Sequence, residues 1–334
     1  MFRHNYKYSL LSLCVAAGFM TACSSSAIED NTEEISRAMT FHVSRDLDSR
    51  ALTSNDDFFK EGNKFAVWGA FALQSKPGTF ITVFDAQPIT YTSSVWTYSP
   101  TQYWFPGNEY NFLAIHPAEL PDITPVYTPA TSTLEIQGFD LTKKVDLLSS
   151  TYTHKATLTG NSRVSLDFRH NLVRIQFTVT VDPAAEESII IDDIRFYGVR
   201  TKGDFNLKAG QTGTWSNLKD VTTSASPLAS ANPGEIPCDG QARPLFTGEN
   251  CIVAFPGAIP SGAAVRITYH YESAPTPVSF TANVWDNSVA LAYRWNVGQS
   301  YNYRFTLGTA DKVIFEAPEV TEWEDYEGGN YIIQ

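Results

Sequence analysis

Basic side chains are scarce in this 334-residue chain: 24 Lys and Arg face 36 Asp and Glu, for a net charge of −12. So acidic a chain repels phosphate backbones and anionic head groups. Nucleic acid is therefore excluded as an expected partner, and charge does not bring the chain to a membrane. Long apolar runs are missing too. Residues 10–20 form an unbroken apolar and small stretch, about half of the ~20 residues a spanning helix needs. Cysteine is limited to Cys14, Cys23, Cys238 and Cys251, whose spacing fits no zinc motif. There is no Gly-rich phosphate loop, no His-Glu-x-x-His helix and no Gly-x-Ser-x-Gly elbow, and the six histidines are scattered. Acidic pairs occur in "SNDDF" and "IDDIRF", without the oxygen-ligand loop that calcium requires. No residue set selects a reaction, so the sequence predicts no enzyme, no cofactor and no metal centre.

What is present begins with a leader. Arg3, His4 and Lys7 precede the apolar run, and small residues follow it, which is the pattern of a secretory signal over residues 1–22. Met20-Thr21-Ala22-Cys23 resembles the lipobox of bacterial lipoproteins, which implies lipidation at Cys23 and an outer-membrane anchor held by acyl chains. Residues 23–37 are then a polar, acidic tether. In an envelope compartment Cys238 and Cys251 either close a disulfide across a turn-rich loop or stay as two buried thiols.

Aromatics make up 13% of the chain, with 18 prolines and 20 glycines, a composition that favours a turn-rich β fold over disorder. Strand signals recur. In "MTFHVS" Met39, Phe41 and Val43 alternate with polar neighbours, and "LVRIQFTVTV" sets Val173, Ile175, Phe177, Val179 and Val181 on one face. "AVRITYHY" and "SYNYRFTL" repeat that alternation, "KFAVWGAFAL" is nearly continuous apolar, and helix evidence shrinks to one turn in "DPAAEESI". The pattern predicts an all-β protein of antiparallel sandwiches. Length points to two domains, 38–162 and 163–334, divided at the polar segment "TLTGNSRV".

Taken in order, the motifs resemble the fimbrillin family of Mfa-like pilins and surface lipoproteins. They run from the lipobox through Ser49-Arg50-Ala51 to "FFKEGNKFAVWGAF", where Asn63 stands in place of the family's usual Asp. "YWFPGNEYNFLAIHP" follows, then "VSLDFRHNLVRIQFTV" with Phe168, His170 and Leu172, and finally "WNVGQSYNYRFTL" and "VTEWED". The resemblance implies two tandem transthyretin-like Greek-key β-sandwiches and a structural, adhesive role in a type V pilus. It also implies that an arginine-specific protease removes the first strand, and that a neighbouring pilin subunit refills the groove. Arg50 is the expected cut, in the family's Arg-Ala place, and Arg45 is second; both follow the 39–44 strand in a polar loop. Cutting at Arg37 would leave the groove filled. The alternative is that neither is cut and the protein remains a non-polymerising surface lipoprotein.

Two further expectations concern partners. The C-terminal stretch "KVIFEAPEVTEWEDYEGGNYIIQ" either donates a strand to a neighbour or completes its own sandwich. Trp96, Tyr98, Tyr103 and Trp104 either form core or make a platform for stacking a glycan of a host or bacterial surface. His170, beside Asp167 and Arg169, is expected to be a hydrogen-bonded structural residue.

Overall fold

The computed structural model describes residues 37–44, 58–157, 163–246, 250–284, 294–308 and 313–323. Its architecture is all-β, built around three apolar cores. A central sheet runs Arg169–His170, Leu148–Lys155, Glu109–His116, Lys64–Ala72, Phe80–Thr92, Val95–Thr97, every pair antiparallel. The nearly continuous apolar run of Lys64–Ala72 is explained by cover on both faces. Phe65, Val67 and Phe71 point into one core, Ala66 and Trp68 into another. Gly69 is required within this strand: a Cβ there would lie 2.7 Å from the Phe112 ring, so glycine lets the Phe84 and Phe112 rings close over the backbone.

On one face of the central sheet lies a four-stranded layer, ordered Thr214–Val221, Arg200–Lys208, Thr133–Asp140, Val126–Thr128. Here Thr133–Asp140 pairs antiparallel with Arg200–Lys208, so hydrogen bonds join chain on either side of residue 162. The core beneath draws Trp68, Leu113 and Ile136 from before that point and Phe205, Phe255 and Trp323 from after it. Strand pairing and a shared core thus cross the position of the expected boundary, and residues 158–162 of the polar segment itself fall outside the described ones.

The distal sandwich stacks two sheets. One carries Val173–Val181 and Gln299–Leu307 at its centre, the other Ile189–Tyr197 and Ala264–Tyr271. All five inward residues of Val173–Val181 are fully buried, as the alternation predicted. The opposite face is not wholly solvated, however: Arg174 and Thr178 are buried too, bonding Ser300 at 2.9 Å and Asn302 at 2.8 Å. Val173–Val181 and Gln299–Leu307 run parallel, against the antiparallel expectation. Parallel neighbours need long crossovers, and here the opposing sheet supplies one. The turn in "DPAAEESI" is a short 3-10 helix, Pro183–Ala185, capped by Asp182.

Candidate functional site

The third core lies on the other face of the central sheet, and its cover is unusual. Two strands of three residues, Phe41–Val43 and Val164–Leu166, pair parallel across it in the register Phe41↔Val164, Val43↔Leu166. Alternation puts Met39, Phe41 and Val43 inward, at 1%, 6% and 3% exposure, while Thr40 and His42 face solvent. Phe41 is the centrepiece. Its ring meets Phe84 and Tyr98 edge-on at 5.5 Å each and Phe65 at 6.1 Å, the geometry aromatic pairs favour.

This ribbon is held by backbone on both flanks. Toward Val164–Leu166, the Val164 amide donates to the Thr40 carbonyl at 2.8 Å and the Ser44 amide to the Leu166 carbonyl at 3.2 Å. On the far side the Met39 amide donates to the Gln102 carbonyl, and the Trp104 amide to the Arg37 carbonyl, both at 2.8 Å. The Tyr98 hydroxyl donates to the Met39 carbonyl at 2.9 Å, and burial raises that phenol's pKa, so it stays a donor. The Ser44 hydroxyl donates to Asp167 at 3.0 Å, closing the end of the strand. Without the ribbon there would remain a slot whose floor is aromatic and whose two walls carry backbone donors and acceptors.

The alternation of "MTFHVS" identified the strand; its walls were missed. "VSL" just before Phe168 is the one local signal for the first wall, and nothing local marks residues 102–104 as the second. Cys23, Arg45 and Arg50 lie outside the described residues. Cys238 is half-buried against the distal core and Cys251 is buried, and the structure joins them by no disulfide. Burial removes Trp96 and Trp104, at 9% and 2% exposure, from any sugar-stacking platform; they are core, and only Tyr103 of the four is exposed. Among the described residues no cluster could hold a metal ion. Asp192 and Asp193 of the "IDDIRF" pair are taken by His270 at 3.0 Å and Arg195 at 2.7 Å.

His170 is structural, as expected, with partners the sequence did not reveal. Its Nδ1 lies 3.0 Å from Asp146 Oδ2, and its ring stacks on Trp323 at 4.0 Å and 4°. Burial pushes nearby His116 down to about 4, with Asp146 opposing and His170 reinforcing the shift. Trp323 follows Val313–Phe315 and Glu319–Glu322, which lie antiparallel on Gln299–Leu307. Residues 313–323 therefore complete this chain's own sheet, pinned by a buried indole. Of the C-terminal stretch, 324–334 lie outside the described residues.

Comparison with known proteins agrees with this architecture. A fimbrial protein from Bacteroides vulgatus superposes with a TM-score of 0.60 at 17% identity, over 86% of this chain and 99% of that one. A candidate cell adhesion protein from Bacteroides ovatus gives 0.51 at 13% identity, over 87% and 98%. At such identities the likeness is one of fold. No curated protein matches the chain. The model of the fimbrillin-like family matches residues 49–323. The chain belongs to the fimbrillin-like family, whose members are structural, non-enzymatic proteins.

Proposed function

We propose that this protein is a subunit of a cell-surface fimbria, supporting adhesion, and that its amino-terminal ribbon is a placeholder for a strand from a neighbouring subunit. In this reading Cys23 carries the lipid that anchors the precursor in the outer membrane. Cleavage after Arg50, or secondarily Arg45, frees the ribbon. One observation carries the proposal: a short strand fills an aromatic slot through three side chains and is bonded by backbone on both flanks. Losing those side chains removes roughly 5–9 kcal/mol at ~1.5–3 kcal/mol each, against a domain stability of ~5–15 kcal/mol. The emptied slot would also expose unpaired backbone edges, which strand addition from another chain satisfies. Because residues 313–323 are pinned by Trp323, a donated strand is assigned to the segment after them.

The glycan-binding alternative loses its platform with Trp96 and Trp104 in the core. The test is to treat the full chain with an arginine-specific protease, sequence the new amino terminus and follow the products by size. A start at Ala51 or Asp46 with growth of a multimer ladder supports the proposal. A chain that remains uncut there and monomeric, under conditions that cleave exposed arginines, favours the non-polymerising lipoprotein.

A further inference from the structure

On one side the distal sandwich ends in an open edge. Ala274–Asn283 pairs antiparallel with Ala264–Tyr271 and, among the described residues, with no other strand. Its register is unbroken from Val278 opposite Tyr269 to Asn283 opposite Ala264. An edge strand offers a row of unpaired backbone groups to any other chain, and proteins guard such edges with proline, charge, bulges or brevity. Guards of this kind stand elsewhere in the molecule. Val126–Thr128 is three residues between Pro125 and Pro129. Pro233 divides the opposite edge of this same sheet into Ala229–Ala231 and Gly234–Ile236. Thr214–Val221 is interrupted by positive φ at Asn217 and Asp220. In Ala274–Asn283, Pro275 and Pro277 guard only the first half, and Val278–Asn283 holds no proline, no charge and no bulge.

The unguarded half also leaves apolar surface uncovered. Val278 and Phe280 pack on the distal core yet stay half-buried, with no described strand beyond them. Ser279, Thr281 and Asn283 face outward and are exposed. In a chain of net charge −12 this strand is uncharged, so its local surface does not oppose an identical one. Period two then restricts the register of a second copy, because inward residues must face inward ones. In a two-fold antiparallel pairing about Phe280, that ring meets its own copy, Val278 faces Ala282 and Ser279 faces Thr281. The inward pairs are aromatic or aliphatic and the outward one sets hydroxyl against hydroxyl, cross-strand combinations that favour pairing. Such a contact is isologous and closes at a dimer.

We propose that Val278–Asn283 is a self-association edge, through which two copies of this chain join their distal sheets into one continuous antiparallel sheet. Strand addition of this kind draws its affinity from main-chain hydrogen bonds and its register from alternate side chains. The inference goes beyond strand replacement and does not depend on it, since the ribbon lies on another core. Long-range repulsion between two acidic chains opposes the contact, so salt that screens it strengthens the pair.

The full chain with its ribbon uncut, followed by sedimentation across concentration and at two ionic strengths, provides the test. The expected result is a monomer–dimer equilibrium that tightens with salt. Ser279→Lys/Thr281→Lys alters two exposed positions and, in the register about Phe280, sets lysine against lysine twice. It should weaken the dimer on the order of tenfold, at an unchanged distal melting transition. Ser279→Glu/Thr281→Glu should do the same, and an equimolar mixture of the two variants should recover a dimer. A chain that stays monomeric up to about 1 mM, a dimer indifferent to the lysine pair, or a mixture no tighter than its parents would overturn the proposal. None of these outcomes bears on strand replacement, which is read separately by cutting after Arg50 or Arg45.

Discussion

The distal core and the ribbon core bury the same kinds of side chain but are closed in different ways. Each sheet of the distal sandwich contributes central strands of eight or nine residues, Val173–Val181 and Gln299–Leu307 against Ile189–Tyr197 and Ala264–Tyr271. Removing any of them would dismantle a sheet. Across the ribbon core, the strands covering the sheet are Phe41–Val43 and Val164–Leu166, three residues each. After Ser44 the described residues resume only at Phe58, beyond the segment that carries Arg45 and Arg50. A core can therefore be well packed and still have a replaceable wall, provided that wall is short and carries few of the contacts. The middle core shows the opposite arrangement, since Trp323 from the end of the chain is locked into it.

The difference can be tested by substitutions of equal size in the two cores. Phe41→Ala and Phe177→Ala should each cost about 3–5 kcal/mol in denaturant unfolding. Only Phe41→Ala should speed exchange of the ribbon for added peptide; equal acceleration by both would erase the distinction. Acid should weaken the ribbon half first. His116, packed on Phe58 at 4.7 Å, is held near 4 by burial, against 6.5 in an unfolded chain. The unfolded chain thus gains a proton between these values that the folded one refuses. Stability is complete above pH 6.5 and falls as the pH drops to about 4, by about 3 kcal/mol. His116→Gln should flatten that slope in unfolding curves taken across the window. Ser44→Ala, which removes the bond to Asp167, should cost about 0.5–1.5 kcal/mol and appear as faster ribbon exchange at unchanged distal stability. The smallest expected effect is none: with no disulfide joining Cys238 and Cys251, reduction should change neither the mass nor the distal melting transition.

Period-two alternation made the ribbon and Val173–Val181 legible, because each presents one apolar face and the chain states that locally. The strand Lys64–Ala72 was legible from a different signal, its nearly continuous apolar run; that both its faces are covered came only with the structure. Partners were not legible. The pairing of Thr133–Asp140 with Arg200–Lys208 and the parallel pairing of Phe41–Val43 with Val164–Leu166 join segments far apart in sequence, with no local mark of which edge meets which. His170 stood out among its neighbours Asp167 and Arg169, yet its buried partners, Asp146 and Trp323, come from another loop and from the end of the chain. The aromatic cluster around Trp96 was ambiguous because spacing alone does not say which layer covers it.

Hydrogen exchange on the protein before and after ribbon removal tests the central claim most directly. The Val164 and Trp104 amides donate to ribbon carbonyls. They should lose protection when residues up to 50 are removed and regain it when a peptide of residues 37–44 is added, while amides of Val173–Val181 stay protected throughout. Protection of Val164 and Trp104 that persists without the ribbon, or a loss that spreads equally to Val173–Val181, would contradict a wall that can be exchanged without disturbing the rest of the molecule.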